Sequence, residues 1–342
     1  MSEQLVTGHS TSSSSSKYEM QRTGGLMGLP VELQADIFRH MPNLKTAVAL
    51  RLCCRQLNEV YLANEPSITA ALRELLVAPF REYYSLLQRL KFPADSVKTP
   101  PALGWPAMTT AACAVLGKTP FAIDVLRHLP YISNSHRHFD ITNLDYRCDA
   151  VDYSDLDPEE LPRKDVEEAW ADELQGEQGP EDGDRISNFK HVVMVANTVH
   201  TGGVVLLLDT FSGKIFEQFV ICGSGVRLPV GEYFASRMER IRKLQLIFIN
   251  WMDPQDMDDA GIDLEVEYDP GPKDSEGEPA SDRDTKELVG WVRHLYRKFG
   301  WPGSDYKKEE CMKAIADFTS RSPIWRKCMR ETDGCINCRK DD

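Results

Sequence analysis

The chain has 342 residues, of which 42% are apolar and 27% charged, and its formal net charge is -13. An ordinary apolar share at this length predicts two compact domains and excludes wholesale disorder, because a domain runs to roughly 100–200 residues. The acidic balance, with no dense Lys/Arg cluster to reverse it, excludes phosphate-backbone binding as a first reading and favours basic or neutral protein surfaces as partners.

Residues 1–25 carry the run Ser12 to Ser16 and end in Gly24-Gly25 with almost no large apolar side chains. This composition predicts a disordered leader, with no apolar block of the secretory kind. From Leu26 to about Leu129 the apolar spacing is helical: Leu29, Leu33 and Ile37 recur at every fourth position, and Ala47, Leu50, Cys54, Leu57 and Tyr61 at three-and-four spacing. Further helices are expected over Ile68 to Val77, Arg81 to Leu90, Met108 to Leu116 and Phe121 to Leu129, with prolines including Pro66 and Pro79 separating them. The spacing assigns 26–80 to a first helical domain and 81–148 to a second helical region.

Residues 149–188 are dense in Asp and Glu and broken by glycine, which predicts an acidic linker whose one candidate helix, Asp165 to Leu174, is weakened by like-charge repulsion. From His191 the period becomes that of strands. His191 to Val199, Val204 to Asp209 and Lys214 to Cys222 are rich in Val, Ile, Leu and Phe, and the turns between them contain Gly202-Gly203 and Gly213. Gly231 to Leu244 predicts an amphipathic helix and Leu246 to Trp251 one more strand. A second acidic loop over 253–284 precedes a helix from Lys286 to Phe299 that Gly300 ends, and 331–342 form a tail. The expected fold class is α+β: an N-terminal helical array, then a small antiparallel sheet over 189–252 and 285–330 with flanking helices and acidic loops.

One segment combines several signals. Residues 29–60 read LPVELQADIFRHMPNLKTAVALRLCCRQLNEV. Pro30 suits a first helical turn because its missing N–H would be unpaired there, Glu32 faces the positive end of the helix dipole, and Asn43 is placed to cap a second helix. This order, from Leu29-Pro30 through Glu32, Leu33, Ile37 and Phe38 to Cys53 and Arg55, resembles an F-box. Met41 stands where that family usually has Leu, and Thr46-Ala47 where an acidic-aliphatic pair is common. The resemblance implies a non-catalytic adaptor that docks on a Skp-type adaptor protein of a cullin-containing ubiquitin ligase. It places Leu29, Pro30, Glu32, Leu33, Ile37, Leu50 and Leu57 in the contact, and leaves the rest of the chain to hold a client protein.

The phrase His128 to Ile132 and the helical layout are also similar to fungal F-box proteins, a likeness that implies no activity. The strand-rich part over about 191–250 is faintly similar to the SUKH superfamily of protein-binding α+β modules, at Gly203, Leu208, Asp209, Gly213 and Phe234. That likeness implies the alternative of an interaction or scaffold module with no ligase role.

No catalytic motif is complete. Cys335-Ile336-Asn337-Cys338 is a single knuckle whose zinc partners would have to be Cys311 and Cys328, and free thiols in a frayed tail are the favoured reading. His136-Arg137-His138-Phe139-Asp140 is half of a hydrolase metal motif without its second half. Ser212-Gly213-Lys214 lacks the preceding glycine and following hydroxyl of a phosphate loop, which leaves a hairpin turn. The nine cysteines, an odd number with several in helical apolar patterns, are read as reduced thiols. The sequence therefore predicts an intracellular adaptor with no cofactor, no metal, no nucleic-acid partner and no membrane anchor.

Overall fold

The computed structural model describes residues 25–133, 144, 148–156, 188–198, 203–219, 225–249, 255–256 and 280–321. A single 3-10 turn at Leu26–Gly28 leads into α1 (Val31–Arg39), α2 (Leu44–Arg51) and α3 (Arg55–Leu90). Pro30 occupies the cap position of α1, in extended backbone just ahead of the first turn, and Glu32 lies in that turn. Asn43 caps α2 as its sequence position predicts, its side chain accepting from Thr46 N at 2.9 Å.

The inner faces of these helices bury Ala35, Phe38, Leu44, Ala47, Leu57, Val60, Tyr61, Ile68 and Leu72 as one cluster. Phe38 meets Tyr61 edge-on with ring centroids 5.4 Å apart, the arrangement that the ring quadrupoles favour.

The separate helices expected over 68–77 and 81–90 are instead one helix of 36 residues with Pro66 and Pro79 inside it. It crosses the position where the sequence reading divides 26–80 from 81–148. A proline inside a helix strips the hydrogen bond from the carbonyl four residues before it. Those residues, Leu62 and Leu75, are both exposed. The buried stripe then carries the helix through: Leu76, Phe80, Tyr83, Leu87 and Leu90 repeat at four-and-three spacing and enter the main core.

Beyond α3, a two-residue strand β1 (Val97–Lys98) pairs with β2 (Tyr131–Ile132), and α4 (Pro120–His128) lies between them. The expected helix over 108–116 is reduced to a 3-10 segment at Ala112–Leu116, ended by Gly117. The sheet comprises β3 (Cys148–Ala150), β4 (Val192–Thr198), β5 (Val204–Asp209), β6 (Lys214–Phe219) and β7 (Gly225–Pro229), joined in sequence order with every pair antiparallel. Both faces of its central strands are buried.

The three strands predicted from periodicity are β4 to β6. The others correct the sequence reading. β3 lies at the start of the stretch read as an acidic linker, where Asp152, Tyr153 and Ser154 are buried beside it and Lys98 Nζ sits 2.8 Å from Asp152 Oδ2. β7 is too short and too exposed to show a period.

α5 (Val230–Arg242) closes over the sheet, with Phe234 seated between Phe80 and Tyr83 of α3 at centroid distances of 4.6 Å and 4.9 Å. Of the strand expected over Leu246 to Trp251, Leu246–Ile247 form β8, paired with β9 (Gln255–Asp256), Phe248 and Ile249 follow it without strand pairing, and residues 250–251 lie outside the described residues. Last come α6 (Ala280–Lys298) and α7 (Lys308–Arg321), the latter unanticipated. Trp301 Nε1 donates to Ile241 O at 3.1 Å, Tyr306 OH to Leu90 O at 3.0 Å and Lys308 Nζ to Gln88 O at 3.0 Å, which fastens the segment between these helices to α5 and to the end of α3. The fold is α+β, as the residue pattern predicts.

Candidate docking surface

The first helical unit has two apolar faces. One is the buried cluster. The other is directed to solvent: Met27 is 42% exposed, Leu29 37%, Val31 51%, Leu33 49% and Leu52 73%. The local sequence explains why. In α1 the positions that face α3 are Gln34, Ala35 and Phe38, so the stripe Leu29, Leu33 and Ile37 lies on another side of the helix, and only Ile37 is half-buried. A small unit that already uses Phe38 and Ala35 inside has no further surface on which to bury Leu33.

Three short contacts hold the exposed residues together. Gln34 Nε2 donates to Leu29 O at 2.8 Å and fixes the extended entry strand against α1. Gln56 Nε2 lies 3.4 Å from Gln34 Oε1, which joins the start of α3 to α1. Cys54 Sγ lies 3.6 Å from Met27 Sδ, which sets the 3-10 turn against the α2–α3 junction that carries Leu52. The surface therefore draws on the entry turn, the first turns of α1 and the junction between α2 and α3.

Of the residues the resemblance places in the contact, Leu29, Pro30, Glu32 and Leu33 are exposed, and Ile37 and Leu50 are half-buried. Leu57 is 3% exposed and belongs to the inner cluster, where a docked partner does not reach it. The sequence reading did not single out Met27, Val31 and Leu52 as site residues. Val31 follows Leu29-Pro30 and Leu52 precedes Cys53-Cys54, so their signal was an apolar residue beside, rather than on, the helical stripe.

The unit is seated on the rest of the chain. Lys45 N donates to Phe211 O at 2.9 Å in the β5–β6 turn. Gly213 in that turn has φ +73°, and a Cβ there would lie 3.3 Å from Asn43 Cβ and 3.5 Å from Leu76 Cδ2. Only glycine gives both the left-handed backbone and the close approach. Ser212-Gly213-Lys214 is accordingly a turn, closed by Asp209, whose carboxylate accepts from Phe211 N at 2.9 Å and from Ser212 Oγ at 2.6 Å. Of the other positions of the SUKH likeness, Gly203 lies just before β5, Leu208 is buried in it and Phe234 is core in α5.

The chemical candidates resolve differently. Cys311 is a fully buried core thiol of α7, and burial pushes its pKa up to about 11. Cys328, Cys335, Cys338 and the segment from His136 to Asp140 lie outside the described residues. Among the described residues no group of three or more His, Cys, Asp or Glu could hold a metal ion.

One buried ionisable network lies beneath α5: Tyr233 OH donates to Glu217 Oε2 at 2.6 Å and Arg237 Nη1 stands 3.3 Å from the same oxygen. Burial raises the pKa of Glu217 more than the Tyr233 hydrogen bond lowers it. Cys148 beside the network is also buried, and its thiol is held well above its ordinary value by desolvation. With Glu217, Tyr233 and Cys148 all buried, the network positions α5 on the sheet and offers no exposed nucleophile.

Among the described residues no helix is long and apolar enough to cross a membrane. No family model, curated protein or solved structure matches the chain.

Proposed function

We propose that this chain is a non-catalytic adaptor of the F-box kind, which docks on a Skp-type adaptor protein of a cullin-containing ubiquitin ligase and presents a client bound by its C-terminal region. The observation that carries this reading is the exposure of Leu29, Val31 and Leu33, with Met27 and Leu52 alongside, on a helical unit whose inner face is already filled. Several exposed apolar side chains on one small unit are what a surface awaiting a partner presents. The F-box-like order of residues 29–60 names the class of that partner.

Co-purification with a Skp-type adaptor tests the proposal. The wild-type chain is expected to capture the adaptor, whereas Leu29→Ala with Pro30→Ala, and separately Leu33→Glu, lose it while melting at the wild-type temperature. Capture that survives both changes would overturn the assigned surface. The alternative, an interaction module of the SUKH kind with its first helices serving only as support, draws on the seating of α2 against the β5–β6 turn through Lys45 and Phe211. It requires that no adaptor be captured at all.

A further inference from the structure

Gln34 is a polar residue at a core-facing position: it lies on the side of α1 that buries Ala35 and Phe38, and it is 1% exposed. Its amide is used at both ends. Nε2 donates to Leu29 O at 2.8 Å, and Oε1 accepts from Gln56 Nε2 at 3.4 Å. Burying an amide is unfavourable unless it is hydrogen-bonded, and an apolar side chain of the same size would fill the position without that cost. What a satisfied buried polar network adds is one specified arrangement of the chain.

The arrangement specified here is that of the Leu29-Pro30 step. Leu29 and Pro30 both have extended backbone, at φ -75°, ψ 150° and φ -51°, ψ 148°. A residue before proline is biased to the extended region, but that region is broad. Pro30 stands at the cap of α1, where its side chain makes no capping bond, and it has no N–H to offer. The Leu29 N–H donates to Leu26 O at the longer distance of 3.3 Å. The Gln34 bond to Leu29 O thus selects one orientation of the step, and with it the direction of the exposed Leu29 side chain.

We propose that Gln34 is a positioning residue for docking: it holds Leu29 in the pose that the Skp-type adaptor binds, although, being buried, it touches no partner itself. A group already held in its bound conformation loses less freedom on binding. Where the bound pose is only fractionally populated, apparent affinity falls by that fraction. Without the bond to Gln34 the step samples other extended conformations, from which the adaptor must select one. Gln56 carries the restraint to the start of α3, next to the α2–α3 junction that holds Leu52. That the partner is a Skp-type adaptor rests on the proposed function; that Gln34 restrains Leu29 does not.

The test measures the affinity of the full chain for a purified Skp-type adaptor by titration calorimetry, in a double-mutant cycle. Gln34→Met keeps the side-chain length and suits apolar surroundings, and Gln56, which is exposed, turns its amide to water. Gln34→Met is expected to bind about three- to tenfold more weakly than the wild type, the range that one neutral hydrogen bond spans. Leu29→Ala alone leaves Pro30 and Leu33 in place, so its binding is weakened but measurable. In that background no side chain remains to be positioned, and adding Gln34→Met is expected to change affinity by less than about twofold.

A second measurement needs no variant. In the free wild-type chain the Gln34 side-chain amide protons are expected to exchange with solvent more slowly than those of Gln56, and to keep their chemical shifts when the adaptor is added. A large shift on binding would mean that the partner assembles the step, and would overturn the proposal. So would unchanged affinity of Gln34→Met, or an equal loss in both backgrounds, which assigns Gln34 to the stability of the unit alone. A wild-type chain that captures no adaptor would overturn the docking role together with the proposed function, whereas additive losses in a chain that does capture it would sink this inference alone.

Discussion

Leu33 and Leu57 stand within the same F-box-like segment and are indistinguishable by residue type, yet the fold gives them opposite roles. Leu57 is 3% exposed and packs with Phe38, Val60 and Tyr61, whereas Leu33 is 49% exposed. Truncating Leu57 to Ala removes buried methyl groups and leaves a cavity lined by those neighbours, which costs about 2–5 kcal/mol. Truncating Leu33 removes side chain that is half in water already, so folding stability is expected to change by no more than about 0.5 kcal/mol.

The difference, on the order of 2 kcal/mol or more, is well resolved by urea unfolding followed by far-UV circular dichroism. Because α3 joins the first cluster to the main core, a loss confined to residues 25–72 would register as an early helical transition rather than as one shifted curve. In parallel, Leu33→Ala is expected to weaken capture of a Skp-type adaptor while leaving the unfolding curve in place. A Leu33→Ala variant destabilised by more than about 1 kcal/mol would refute the division of this unit into an inner and an outer apolar face.

Two titrations extend the test to other parts of the molecule. The Cys311 thiol is pushed by burial from an ordinary 9.0 to about 11, so the folded state holds its proton more tightly than the unfolded chain; stability contributed there is present below pH 9 and is lost as pH rises toward 11, in denaturant midpoints that Cys311→Ala flattens over this window. At pH 8 a thiol reagent is likewise expected to label exposed Cys53 long before Cys311.

His191 stacks on Phe211 with ring centroids 4.8 Å apart, and Nδ1 lies 3.3 Å from Thr119 Oγ1. Burial lowers its pKa below 6.5 although Asp209 opposes the shift. The unfolded chain then binds the proton more readily, so this contribution is present above pH 6.5 and is lost as pH falls through the folded value. Unfolding midpoints measured from pH 7.5 downward are expected to show a loss that His191→Gln removes, and an identical slope in the variant would refute the assignment.

The local levels of this structure were readable in the residues. Asn43 caps α2 because Asn followed three residues later by an N–H it can reach is a local event. The strands β4 to β6 were visible because runs such as Val204–Asp209 are apolar throughout and are bounded by glycine turns. The spacing of Leu29, Leu33 and Ile37 likewise identified an apolar stripe.

Tertiary structure decided what each of these features faces. Periodicity is a property of one helix and does not say which of its sides meets a neighbour. α1 turns Phe38 and Ala35 inward and leaves Leu29 and Leu33 outside because α3 lies on the former side. Propensity alone breaks a helix at Pro66 and Pro79, yet α3 continues, since a buried stripe from Leu57 to Leu90 outweighs two lost hydrogen bonds. The acidic residues after Asp149 read as solvated until β3 draws Asp152 into contact with Lys98, a pairing between segments more than fifty residues apart that no local pattern encodes. Sequence fixes the local conformations, whereas the assignment of an apolar residue to core or to surface depends on which distant segment arrives to cover it.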